Sequence, residues 1–429
     1  MLVKRLDGIF NPDCRRVIIR PHIPQNRDRI DRIINCVLSM SEVQVENIFR
    51  KVESNFFKRH KMFKKELLQN YSRVEKYIHD SKDMTLVRKL LIGAYFSMEY
   101  SNQSTAFFNP SIVEHYNQEN LPDGCKRYIM SFRAVGEGHI SSIEFREGII
   151  DKYSNFYSSQ CSNYAQKSEL ISLPDEDGGY LLRFPEGTEM SEKVIFPESC
   201  DDCNGIEDAR FVRFQEDDGE IKYYATYTAY DGHNIQPKLI ETKDFNTFKI
   251  LPMYGKFSKN KGMALFPRKV NGKYMMITRV DAESLYLSTS DNIQTWDNGN
   301  LFRQPEYDWE YVQMGNCGSP IETDRGWVLL THGVGPMREY SIGIILLDIE
   351  NPSKIIGNIR EPLIVCNQDE REGYVPNVVY SCGGMIHEQT LIIPYAMSDT
   401  CSGIATLPLG KLFEGVRSQN EDEIYAKST

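Results

Sequence analysis

The chain lacks any long hydrophobic run. In 429 residues nothing reaches the roughly 18 consecutive apolar residues of a membrane-spanning helix. The start, Met1-Leu2-Val3-Lys4-Arg5-Leu6-Asp7, lacks the apolar stretch of a secretory signal. The expectation is a cytoplasmic protein with no membrane partner. An excess of positive charge is missing too: 50 Lys and Arg stand against 60 Asp and Glu, a net charge of −10. That balance argues against nucleic acid as a partner and leaves room for a local basic site that takes a small anion. The ten cysteines have no framework spacing. Cys200-Asp201-Asp202-Cys203 is the one Cys-x-x-Cys pair, and no second pair completes a zinc site. Free thiols, and no metal or cofactor, are expected.

Residues 1–25 mix Pro, Arg and short apolar runs and read as an extended arm. From about Asn26 to Tyr100 the pattern is helical. Ile30, Ile33, Ile34 and Val37 recur at helical spacing, and Ser41-Glu42-Val43-Gln44 has the form of a capping box. The basic run Lys58-Arg59-His60-Lys61 to Lys65 reads as a solvated helix face. Residues 1–100 are therefore expected to serve packing and self-association, giving a homo-oligomer. The end, 418–429, is polar and charged and reads as a tail.

Beyond Ser101 the texture is β, and a unit repeats. Asn109-Pro110-Ser111-Ile112-Val113 leads into Tyr128–Arg133. Asp208-Ala209-Arg210-Phe211-Val212 leads into Tyr223–Thr228, and Ala264-Leu265-Phe266-Pro267 into Tyr274–Arg279. Gly318-Ser319-Pro320-Ile321 leads into Trp327–His332, and Val375-Pro376-Asn377-Val378-Val379 into Leu391–Tyr395. The last four starts lie about 55 residues apart, close to the period of a propeller blade. The longer first interval implies an insertion around 150–200. The expected fold is an all-β five-bladed β-propeller over 101–417 with an N-terminal α-helical extension.

The repeat gives scattered polar residues a common address. Asn109, Asp208, Arg210 and Asn377 fall at strand starts, while Arg133, Arg279 and His332 end second strands. Taken singly, each has an ordinary structural explanation, as a rim ion pair or a satisfied buried group. At equivalent places in converging blades they argue for one pocket. Its centre is Gly205-Ile206-Glu207-Asp208-Ala209-Arg210, where two carboxylates and a guanidinium stand at the start of an apolar strand. An acid beside cations suits inverting glycoside cleavage. If water were the nucleophile, a second carboxylate would have to activate it. If it were phosphate, the site should offer cations and donors, a description that Lys261, Arg279 and His332 fit.

The motifs Asn109-Pro110, Arg133-Ala134-Val135-Gly136, Gly205–Arg210, Thr226–Gly232, Lys261 with Ala264–Pro267, Gly318-Ser319-Pro320, His332-Gly333-Val334 and Val375–Val379 run in order from about 101 to 410. In them the chain resembles glycoside hydrolase family 130. The resemblance implies a five-bladed propeller and an inverting phosphorylase that cleaves β-mannosides with inorganic phosphate to give α-mannose 1-phosphate. It makes Asp208 the general acid, passing its proton to the bridging oxygen through the sugar 3-hydroxyl. Lys261, Arg279, His332 and Arg210 would hold phosphate. Asn109, Arg133, Tyr230, Asp231 and Asn377 would contact or shape the mannosyl pocket, with Glu207 orienting its neighbours. The helical region and the Gly136–Ser142 segment resemble the branch that acts on β-1,2-linked mannose.

Two positions depart from the family pattern. Its commoner Glu-Asp-Pro-Arg is Glu207-Asp208-Ala209-Arg210 here; Ala loosens the fixed φ of Pro and removes no functional group. Where some branches carry Gly-Asp before Val-Pro-Asn, this chain has Gly373-Tyr374, so a sugar-binding carboxylate is expected to be missing there. Two rival readings stay open. One is a β-1,2-mannosidase of the same fold; the other is a non-catalytic propeller that binds carbohydrate.

Overall fold

The structure is a computed structural model that describes residues 3–78, 84–172 and 178–416; the expected tail 418–429 lies outside them. It is mostly β, with four helices near the N-terminus and a short one after the last strand.

Three of the four early helices begin on a side-chain cap. Asn26 accepts from Arg29 at the start of α1 (Arg27–Leu38), and Ser41 forms a full capping box with Gln44 at the start of α2 (Glu42–Phe56). α3 (Phe63–Glu75) follows, and Thr85 caps α4 (Leu86–Tyr95). Ile30, Ile34, Val45, Phe49, Leu67, Val74 and Leu91 close a core of their own. The basic run between α2 and α3 is spent on ion pairs. Arg59 meets Glu99 at 2.5 Å, and Lys61 and Lys65 reach Glu192 and Glu169, each at 2.5 Å. Those two glutamates belong to the insertion after residue 150, so these ion pairs join the helical region to the β region.

Beyond the helices the chain forms antiparallel meanders. Ala106–Glu114, Lys126–Val135 and Ser141–Ile150 pair in order, as do Gly205–Gln215, Ile221–Tyr230, Ile235–Thr242 and Thr247–Pro252. A single parallel pairing, Gly205 with Ser141, joins the two sets into one sheet. The insertion adds Tyr180–Arg183 and Glu169–Ser172 to the outer edge of the second set. Ala264–Leu265, Tyr274–Thr278, Leu285–Ser290 and Asn298–Arg303 make the next sheet. Gln313–Asn316, Gly326–Val334, Tyr340–Leu347 and Ile355–Asn358 make another.

The last sheet is completed from the other end of the chain. Lys4–Arg5 pairs with Cys401–Pro408, which pairs with Thr390–Met397 and through it with Val379–Tyr380. The arm is thus partly structured: besides Lys4–Arg5, Val17–Pro21 pairs with Ser97–Ser101. Alternation along these strands buries one face against each neighbouring sheet, as where Val328, Leu330, Ile342 and Ile344 meet Leu391 and Ile393.

Candidate active site

Two bulges create the centre of the site. In Ala106–Glu114 the register slips between Phe108 and Ser111, and in Gly205–Gln215 between Glu207 and Arg210. The residues that turn at these slips are Asn109 (φ 48) and Asp208 (φ 53), both in the left-handed region. Such backbone is strained for a side chain with a Cβ, and a bulge there re-aims the side chain it carries. The two aim at each other: Asn109 Nδ2 donates to Asp208 Oδ1 at 2.7 Å. Pro110 follows the first bulge and Ala209 the second, so the same turn forms with and without proline.

Arg133 ends its strand against this pair. Its guanidinium donates to Glu207 Oε1 at 2.7 Å and lies 3.5 Å from Asp208 Oδ1. Glu207 also faces Lys261, whose half-exposed ammonium is 3.9 Å from Oε2. Burial works to raise the Asp208 pKa. Arg133, Arg210 and Lys261, with the Asn109 hydrogen bond, outweigh it and hold the carboxyl below its ordinary value.

A second cluster adjoins the first. Arg210, 2 % exposed, donates to the Asp208 carbonyl at 3.1 Å and to the Tyr380 hydroxyl at 2.6 Å. Arg279 Nη1 lies 3.3 Å from His332 Nε2, and His332 Nδ1 lies 3.2 Å from the Asn316 carbonyl. An arginine can only donate, so Nε2 accepts and the imidazole proton sits on Nδ1, donating to Asn316. Burial first, then the charges of Arg279 and Arg210, pushes the His332 pKa well down. His332 is neutral. Among the described residues neither Arg210 nor Arg279 forms an ion pair, and the Nε of each is buried without a partner. Two buried guanidinium groups without an ion-pair partner leave donors that an anion could take.

Three expected residues stand apart from this network. Tyr230 donates to the Gly232 carbonyl at 2.9 Å. Asp231 spends its carboxylate on its own loop, accepting from the His233 and Asn234 amides at 2.7 and 2.6 Å. Those contacts, Asn234 foremost, lower its pKa to about 2. Asn377 (φ 61) accepts from Arg371 Nε at 2.9 Å. No hydrogen bond or ion pair described in the structure links these three to Asp208.

One residue that sequence reasoning missed joins the site. Ser398 (φ 48) and Asp399 (φ 51) are the two central residues of the turn between Thr390–Met397 and Cys401–Pro408, closed by Thr400 N donating to Met397 O at 3.1 Å. The turn lies against the first bulge, since Phe107 N donates to Thr400 O at 2.9 Å. Burial, then the negative charge of Asp208, raises the Asp399 pKa to about 6 against the pull of Arg133, Arg338 and Lys261. The repeat itself held the signal: Asp399 follows the fifth second strand, at the address that Arg133, Arg279 and His332 share in other units.

Comparison with known proteins gives the family. The sequence model of glycoside hydrolase family 130, described as beta-1,4-mannooligosaccharide phosphorylase, matches residues 79–418. The chain is 32% identical over 253 residues to a 1,2-beta-oligomannan phosphorylase of Thermoanaerobacter sp. (strain X514), covering 56% of this chain and 79% of that one. It is 30% identical over 263 residues to a beta-1,2-mannobiose phosphorylase of the same organism, covering 58% and 80%. Among solved structures, the beta-1,2-mannobiose phosphorylase from Listeria innocua, solved as its beta-1,2-mannobiose complex, superposes with a TM-score of 0.54 at 17% identity. It covers 72% of this chain and 92% of that chain, a likeness of fold.

Proposed function

Because this chain belongs to glycoside hydrolase family 130, we propose that it cleaves β-1,2-linked mannosides with inorganic phosphate and releases α-mannose 1-phosphate. It is an enzyme, a β-mannoside phosphorylase. The β-1,2 linkage rests on the two Thermoanaerobacter relatives, both of which are named for it.

The observation that carries phosphorolysis over hydrolysis is the pair of buried guanidinium groups, Arg210 and Arg279, without ion-pair partners. Water needs no such charge. A phosphate carrying about −1.5 to −2 at neutral pH satisfies both. A phosphate oxygen attacks the anomeric carbon from the α face as the bond to the leaving sugar breaks. Asp208 supplies the proton to the departing oxygen, through the sugar 3-hydroxyl. In the free site the cations keep Asp208 ionised. Phosphate bound by Arg210, Arg279 and Lys261 offsets those charges, so the carboxyl takes up its proton as the anion arrives. His332 holds Arg279 in place as a neutral acceptor. Asn109, Arg133, Glu207 and Asp399 hold the mannosyl unit, and Tyr230, Asp231 and Asn377 shape the outer pocket.

The fold behind this reading is a five-bladed propeller. Counting the joined sheet as two supports it, as does a cavity of about 450 Å³ lined from five segments, by Val113, Val212, Pro267, Ile321 and Met385 among others. Residues 101–417 form the catalytic domain. Residues 1–100 serve self-association, for which exposed Val43, Phe57 and Leu86 offer apolar surface. The reaction runs without a metal, and the protein works in the cytoplasm.

The test is incubation with β-1,2-mannobiose, with and without inorganic phosphate. Phosphate-dependent mannose 1-phosphate supports the reading. Free mannose at the same rate without phosphate overturns it, and strict loss of activity on chelation overturns the metal-free part.

A further inference from the structure

Tyr380 lies where the two arginine systems meet, and the reaction as described leaves it unused. Its hydroxyl oxygen accepts from Arg210 Nη2 at 2.6 Å. Its ring tilts against the His332 imidazole with centroids 4.8 Å apart, and stands edge-on to Tyr340 at 6.5 Å. The other side of its strand is fixed by pairing, Tyr380 with Ala396. One side chain therefore touches Arg210 from one sheet and His332, the acceptor for Arg279, from another.

The hydroxyl has one proton to give. Its oxygen faces a guanidinium, which cannot accept, and among the described residues no acceptor takes the O–H. Burial raises the Tyr380 pKa, and Arg210 pulls against that rise, so the group stays protonated at neutral pH. A partly buried donor with no protein acceptor is open to whatever occupies the space beside it. The Arg210 it holds keeps an unpartnered Nε, as does the Arg279 that faces His332.

We propose that the Tyr380 hydroxyl is a phosphate contact, holding Arg210 through its oxygen while donating its own proton to the anion. This rests on the phosphorolytic reading above and adds to it a neutral donor among the cations. A neutral donor tells a phosphate oxygen from a chloride by direction as well as by charge.

The experiment compares wild type with Tyr380→Phe, which removes one oxygen and keeps the ring against His332. KM for inorganic phosphate should rise about tenfold or more, the cost of a lost hydrogen bond to a charged group. KM for β-1,2-mannobiose should stay within about twofold, since the site residues nearest the sugar are untouched. In the reverse direction KM for α-mannose 1-phosphate should rise with that for phosphate. Protection against heat by phosphate alone should weaken in the variant. Placing 4-aminophenylalanine at position 380 restores a donor and should recover most of the phosphate affinity, even if Tyr380→Phe folds poorly. An unchanged phosphate KM, an equal rise in both KM values, or failure of the amino analogue to rescue overturns the proposal. Wild-type turnover that ignores phosphate overturns the phosphorolytic reading itself.

Discussion

Asn109 and Asp208 occupy the same place in two units of the repeat, and the amide of one donates to the carboxylate of the other at 2.7 Å. Each is the left-handed residue of its bulge. The strain that aims one side chain is matched by the strain that aims its partner, so the Asp208 carboxylate is oriented from both sides. The two substitutions Asn109→Gly and Asn109→Ala separate strain from hydrogen bonding. Both lose the donor and should let the Asp208 pKa move up, read from the acid limb of the rate profile. Glycine accepts φ 48 freely, so that variant should be the more stable by about 1 kcal/mol in thermal melts.

Asp208→Asn should reduce turnover about 10²- to 10⁴-fold, the range for loss of a general acid. Sugar binding, followed by calorimetry with β-1,2-mannobiose, should persist. Retained turnover would leave the site without its acid.

Arg279→Gln should raise the phosphate KM about tenfold or more. It also removes a positive charge that holds the His332 pKa down. The imidazole pKa, followed by NMR, should therefore move up relative to wild type.

Asp399 links pH to stability. Its folded pKa, about 6, lies above the ordinary 3.8, so the folded state holds this proton more tightly than the unfolded chain. The stability it contributes is fully present below about pH 4 and is lost as pH rises through about 6. Asp399→Asn should then raise stability at pH 8 by up to about 3 kcal/mol, with the difference from wild type vanishing near pH 4. Activity should fall at both pH values, the signature of a charge kept for function.

Glu144 is fully buried, 3.1 Å from Arg16 Nε, and accepts from Gln103 Nε2 at 2.7 Å. Arg16→Met should cost about 3 kcal/mol, because it strands a buried carboxylate. Arg146, 3.8 Å away, offsets only part of the loss. A chemical denaturation midpoint is the readout.

Much of this was legible in the sequence. Second strands such as Trp327–His332 are marked by apolar runs with turns at their ends, and the capping box at Ser41 formed as read. Glu207, Asp208 and Arg210 were legible because their place in the repeat gave them a direction. Asp399 has the same place in the fifth unit and was overlooked, since it sits on a Ser-Asp turn where hairpin rules look for Asn-Gly or Asp-Gly. The neutrality of His332 was not legible: it follows from burial beside two arginines whose own strands lie far away in the chain. The short edge strands of the insertion carry no clear alternation, so pairings such as Tyr180–Arg183 with Thr247–Pro252 emerge only once the partner strand is in place.

The pairing of Lys4 and Arg5 with Thr406 and Ala405 makes the first and last strands of the described residues neighbours. Lys4–Arg5 is made long before Cys401–Pro408 and stays unpaired until that strand has followed. The sheet that carries Tyr380 and Asp399 therefore closes late, after the other meanders have their strands. The proposed pocket, which draws on both residues, is complete only once that closure is made.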